Sequence, residues 1–177
     1  MTKFPAQLDF SAELAKIRSV NPDAVFVFYP GKHGMQFFKQ YSQAGLKDKV
    51  PLYSAFTVDS LSLPRLKDLA AGSLMTQFWA PDLPTPITKI FVQDYRKKYG
   101  RYPTFYAAQS YDTIMLIDSA VRAVNGNLSD KDGMRTAMRR AAFPSVRGSF
   151  KYGNNHFPIQ NFYLRKVIKD SDGNYTT

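Results

Sequence analysis

The chain has 177 residues, 44% of them apolar, a formal charge of +10 and no cysteine. That length suits one ordinary domain or two small lobes with a real core. No run approaches the roughly 20 apolar residues of a membrane span, and without cysteine the chain has no disulfide, thiolate metal site or cysteine nucleophile.

The charge is uneven: residues 1–88 carry +2 and residues 89–177 carry +8. A basic half can face an anionic partner such as nucleic acid, lipid headgroups or an acidic small molecule. Here the basic residues are dispersed along predicted helices and a terminal hairpin, which is the pattern of a solvated surface. The opening MTKFPAQLDF lacks the apolar core of a secretory leader, so no signal peptide is expected in it.

Asp9 or Ser11 can cap a first helix with Phe10, Leu14 and Ile17 on one face, ending near Ser19. Asn21-Pro22-Asp23 turns the chain into an apolar run, Ala24 to Tyr29, rich in Val and aromatics. A run apolar on both faces reads as a strand of a parallel sheet covered on both sides. Pro30 and Gly31 stop it; Phe37, Tyr41 and Ala44 then recur at helical spacing, and Gly45 sits where a helix end wants positive φ. Val50 to Ala55 is a second strand. This is a βαβ unit, and the loop after its first strand is where such sheets present ligands.

A weaker helix beginning at Pro64 carries Leu66, Leu69 and Ala70 inward and ends at Gly72; Ser73 to Trp79 follows as a third strand. Residues 80–86 hold three prolines and form the best boundary between two lobes. Thr85 caps a helix with Pro86 at its first position, Ile87, Ile90, Phe91 and Tyr95 on its inner face, and Gly100 at its end. A long helix runs from about Thr104 to Val124, with Gly126 as its stop, and Asp130 caps a short one. Arg147 to Tyr152 and Gln160 to Ile168 read as strands, and residues 170–173 as a turn before a return strand at Asn174 to Thr177.

No constellation carries catalytic chemistry. Gly31-Lys32-His33-Gly34 lacks phosphate-loop spacing. It remains open between a plain strand-to-helix turn and an anion site at a helix N-terminus. His33 and His156 are the only histidines and have no ligand spacing, so no metal or other cofactor is expected. Ser54 and Ser110 lack a nucleophile-elbow context. Glu13 is the only glutamate, and Asp112, in a mostly apolar helix, reads as a structural hydrogen-bond anchor. The 14 Phe and 11 Tyr are the abundant feature. Most must be core, but Tyr29, Phe56, Phe78, Trp79 and Tyr106 fall near strand ends and turns, where they could line an apolar cleft. Stacking on nucleobases is the rival use, and no nucleic-acid motif accompanies it.

The segment LDFSAELAKIRSVNPDAVFVFYPGKHGMQFFKQYSQAGLKDKVPLYSAF resembles the second lobe of the leucine/isoleucine/valine-binding protein family, the type I periplasmic substrate-binding proteins of ABC transporters. Downstream, FVQDYRKKYGRYP and YAAQSYDT are similar to the same family. Such proteins are about twice this length, with two α/β lobes and the ligand between them, so the resemblance is to the C-terminal half only. It implies parts of two three-layer lobes with parallel sheets flanked by helices and a C-terminal β-hairpin. Residues 1–79 would be the second half of lobe two, 80–146 the helices returning to lobe one, and 147–177 a final crossover, near Pro144–Phe150, with the last strands.

The same resemblance implies binding without catalysis: capture of a small carboxylate, an aromatic acid or a hydrophobic amino acid, for a membrane permease. The implied ligand positions are Tyr29, Gly31, Lys32, Ser54, Phe56, Phe78 and Tyr106. Where amino-acid binders place an acid for the ligand's ammonium, this sequence has Phe56. The implied partners are the ligand, the permease and the N-terminal half of the fold, and the implied location is the periplasm or a lipid-anchored outer surface. A receptor's sensing domain on the same fold and a basic nucleic-acid-binding protein are the alternatives, with no nucleic acid expected.

Overall fold

The computed structural model describes residues 6–149 and 151–177 and divides into two compact units, one of residues up to Gln77 together with Tyr163–Thr177, the other Phe78–Phe162. The first division falls at 77/78. The return to the first unit falls at 162/163, well beyond the crossing expected near residue 147. Phe150, part of the strand expected at Arg147–Tyr152, and the first five residues lie outside the described residues.

In the first unit the elements run α1 (Ser11–Val20), β1 (Val25–Val27), α2 (Lys32–Gln43), β2 (Leu52–Ala55), a short α3 (Leu63–Leu66) and β3 (Leu74–Gln77). The weak helix breaks at Lys67, whose φ is +48°, and continues only as a 3-10 turn, Lys67–Leu69. Asp9 supports the start of α1 by accepting the Ser11 N–H at 3.0 Å and the Ser11 hydroxyl at 2.5 Å, and these bonds hold its carboxyl below the usual carboxylate range. Gly45 takes φ +68° after α2, as its position required.

β1, β2 and β3 pair in parallel with Val27 beside Ser54 and Ser54 beside Met75. The fourth strand of this sheet is antiparallel and comes from the end of the chain, with Met75 beside Arg165. The register sorts the two faces. Val27, Leu52 and Met75 point into a core built with Phe10, Leu14, Phe37, Phe38 and Tyr41 of α1 and α2. Gln40 ties these helices together, accepting the Phe10 N–H and donating to the Leu8 carbonyl, both at 2.8 Å. The other face carries Phe26, Phe28 and Leu164, which remain 67%, 58% and 61% exposed. The strand expected to be covered on both sides is therefore covered on one: the helices of this unit all bury the same sheet face.

In the second unit the elements are α4 (Pro86–Tyr99), α5 (Phe105–Ala123), α6 (Lys131–Arg140) and a small hairpin of β4 (Lys151–Tyr152) and β5 (Pro158–Ile159). Arg147 lies in the turn before β4 and not in a strand. The side chains of Thr85, Thr104 and Asp130 accept the N–H of Thr88, Ala107 and Gly133, one cap per helix. Trp79, Phe91 and Tyr111 make the core, with ring centroids 5.9 Å and 5.0 Å apart. The inner face of α4 differs from its periodicity. Thr88 is fully buried because its hydroxyl donates to the Val146 carbonyl at 2.6 Å, and Ile90 turns to solvent.

The chain ends in β6 (Tyr163–Lys166), the antiparallel strand of the first sheet, followed by a hairpin of β7 (Ile168–Lys169) and β8 (Tyr175–Thr176). No helix is long and apolar enough to cross a membrane among the described residues.

The open sheet face has a measurable consequence. Contiguous exposed apolar surface drives association, so the isolated chain is expected to self-associate in size-exclusion chromatography with light scattering. Phe26→Asp combined with Leu164→Lys should shift it toward monomer, and a monodisperse wild-type monomer would contradict this account.

Candidate ligand-binding site

The residues implied as ligand contacts gather at recognisable places in each unit. In the first unit, the C-terminal ends of β1 and β2 are joined by Thr57. Its hydroxyl accepts the Tyr29 N–H at 3.2 Å and donates to the Ala55 carbonyl at 2.9 Å. The first turn of α2 presses on this brace. A Cβ on Gly34 would lie 2.6 Å from Thr57 Cγ2 and inside contact distance of the Tyr29 carbonyl, so only glycine fits there. Neither Thr57 nor Gly34 was singled out as functional from sequence; the second glycine of the Gly31–Gly34 loop was the available signal.

Around this brace the predicted residues differ in what they present. Gly31 and Lys32 are exposed at the start of α2, where Gly31 takes φ +64° and no side chain caps the helix. Tyr29 is half-buried and turns its ring inward onto Phe10 and Phe37, at 5.1 and 5.3 Å. Ser54 lies on the helix-covered face, 1% exposed, with its hydroxyl unpaired among the described residues. Phe56 follows β2 with φ +48° and donates its N–H to the Thr76 carbonyl at 3.3 Å. A bulky residue in the left-handed region carries strain of about 1–3 kcal/mol. His33 is buried in the first turn of α2.

The nearby acid, Asp59, is engaged in its own turn, accepting the N–H of Leu61 at 2.9 Å and of Ser62 at 3.0 Å. A cavity of about 230 Å³ in this unit lies at the opposite end of the strands, where Leu52 and Leu74 begin β2 and β3, and none of the predicted ligand residues lines it.

In the second unit Phe78 and Tyr106 are brought together by Phe105. Phe78 meets Phe105 edge-on at 6.0 Å, and Phe105 lies 4.1 Å from Tyr106, which is 51% exposed. Asp112 is the buried anchor expected of it, accepting from Ser145, Val146 and Arg147. Among the described residues no cluster of three metal-ligating side chains occurs.

A strand-end loop pair braced over a helix N-terminus, with exposed polar groups and a strained aromatic, belongs to the α/β binding folds that take ligands at the carboxyl ends of parallel strands. Comparison with known proteins sharpens this. The family model described as "Periplasmic binding protein" matches residues 2–174. The Leu/Ile/Val-binding protein homolog 6 of Brucella melitensis biotype 1 is 31% identical over 176 residues, covering 94% of this chain and 44% of that protein. An ABC transporter solute-binding protein of R. palustris, solved in complex with benzoate, superposes with a TM-score of 0.89 at 31% identity, over 99% of this chain and 47% of that one. One from Rhodopseudomonas palustris BisB5, in complex with 3,4-dihydroxybenzoic acid, gives 0.83 at 31% identity, over 95% and 47%. The chain belongs to the periplasmic binding protein family, in its type I, Leu/Ile/Val-binding branch, which is not a family of enzymes. It spans a little under half the length of these relatives.

Gly34→Ala is expected to destabilise the first unit by about 1–3 kcal/mol, because the added methyl overpacks backbone and Thr57 together. Urea unfolding followed by circular dichroism would measure it. An unchanged midpoint would mean the brace can yield without loss.

Proposed function

We propose that the chain works as the C-terminal half of the solute-binding component of an ABC importer, and that its ligand is a small aromatic carboxylate. The observation that carries the reading is Phe56, held in a left-handed conformation at the end of β2. At that position an amino-acid binder would need an acid for the ammonium group. Asp59, the acid next in sequence, accepts bonds from its own turn. A ligand with a ring and no ammonium suits such a wall.

The carboxylate would be anchored by the exposed Lys32 and the N-terminal N–H groups of α2, a helix with no acidic residue in its first turn. Gly31 would keep the backbone open for approach. Phe56 would supply an aromatic contact in the first unit, and Phe78 and Tyr106 aromatic contacts in the second. Tyr29 and Ser54 fit a supporting role better than direct contact, since one packs in the core and the other is buried under the helices. The benzoate and dihydroxybenzoate complexes of relatives at 31% identity support the aromatic class.

A hydrophobic amino acid is the second reading, favoured by the equal identity to a Leu/Ile/Val-binding protein homolog. On either reading the partners are a membrane permease and the N-terminal half of the same fold, and the location is the periplasm or a lipid-anchored outer surface.

A thermal-shift screen of the complete protein with benzoate, 4-hydroxybenzoate and leucine separates the readings. A ligand at 100 times its dissociation constant adds about 2.7 kcal/mol of stability. The aromatic acids are expected to shift the melting temperature and leucine to do so weakly. Phe56→Ala should weaken benzoate binding roughly tenfold, the loss of one aromatic contact. A shift with leucine alone would replace the aromatic reading, and no shift with any of the three would remove both.

A further inference from the structure

Asp112 and Arg147 form a buried ion pair, 1% and 9% exposed, with Arg147 Nε donating to Asp112 Oδ2 at 2.7 Å. Asp112 also accepts the Ser145 hydroxyl at 2.5 Å and the Val146 N–H at 2.9 Å. A buried pair is a poor source of stability, because desolvating two charges offsets most of their attraction. What the guanidinium contributes is direction. Its planar fork is held at Nε by Asp112 and at a terminal nitrogen by Gln160, 3.0 Å away, so the plane of the group is fixed. That places its carbon 5.6 Å from the centroid of the Phe78 ring. Phe78 thus meets both a cation and the edge-on ring of Phe105, which continues to Tyr106.

We propose that Arg147 is a positioning residue that fixes the orientation of the Phe78 ring and so makes the second unit's aromatic wall selective for flat aromatic carboxylates over branched aliphatic ones. The proposal rests on the reading of Phe78 and Tyr106 as ligand contacts. Its logic is the difference between two kinds of apolar contact. A ring meeting a ring gains from offset or edge-on geometry and loses that gain when the angle is free. An aliphatic chain gains from area alone, whatever the angle. Releasing Phe78 should therefore weaken aromatic ligands and spare aliphatic ones.

The test uses the complete protein and two probes, benzoate and leucine, titrated by calorimetry. Arg147→Gln is expected to weaken benzoate about fivefold, in line with the loss of one oriented aromatic contact, while leucine changes by less than about twofold. Arg147→Lys keeps the charge but not the fork and should lower the ratio nearly as far. Asp112→Asn with Arg147→Gln removes the unpaired buried carboxylate, so the fold is retained and the lowered ratio should persist. Equal weakening of both probes, or an unchanged ratio in a folded variant, would overturn the proposal. If the wild-type protein binds neither probe, the ligand reading itself has failed. The ring is then read directly by aromatic carbon-13 NMR: in Arg147→Gln the Phe78 ring signals should move toward averaged values, and unchanged signals would overturn the positioning role as well.

Discussion

The carboxyl end of the parallel strands in the first unit depends on one close approach, that of the first turn of α2 to the loops after β1 and β2. Gly34 removes the side chain that would hold them apart, and Thr57 links the Tyr29 N–H to the Ala55 carbonyl. Once that contact is made, the rest of this end follows. The start of α2, with Gly31 and Lys32, is drawn against the strand ends, and the chain leaving β2 has one exit, through a left-handed Phe56. The strain at Phe56 is tolerable because the surroundings over-determine it: its own N–H is taken by Thr76, and the next residue is the brace.

What could be read from sequence divides by distance along the chain. The caps at Thr85 and Asp130 were legible because each acts on a backbone N–H three residues on, and the left-handed ends at Gly45 and Gly100 because they answer a local steric demand. Thr57 and Arg147 were not, because their partners Tyr29 and Asp112 lie 28 and 35 residues away and no local pattern encodes the meeting. The misassigned inner face of α4 has the same origin. Periodicity favours Ile90, but the hydroxyl of Thr88 finds a carbonyl 58 residues downstream and turns the helix. The implied ligand positions, Phe56, Gly31, Lys32, Tyr29 and Ser54 among them, came from the family resemblance and not from a local pattern; strand alternation sends Ser54 to the covered face.

The open face of the first sheet gives the apolar run at β1 its meaning. Phe26 and Phe28 alternate with Val25 and Val27, so the sequence is written for burial on both sides, while the helices of this unit cover only the valine side. α5 repeats the pattern, with Ile114 and Ile117 outward on a helix whose other side is packed. Apolar residues in two such stripes are costly to leave in water, at about 25 cal/mol per Å². They match a fold of which this chain spans a little under half. The local structure of each unit is nonetheless specified within the chain, by the caps, the brace and the buried polar contacts.

That last point bears on how a ligand would be held. In the first unit Phe56 takes a strained backbone conformation beside Thr57; in the second Phe78 packs against Arg147 and Phe105. Binding ordinarily loses affinity to the ordering of side chains, about 0.5–1.5 kcal/mol for each that must be immobilised. An aromatic side chain held in place beforehand makes that loss smaller. On the proposed reading, two unrelated devices, a strained backbone in one unit and a buried ion pair in the other, serve the same physical end. Each converts an aromatic residue from a patch of apolar area into a directional contact.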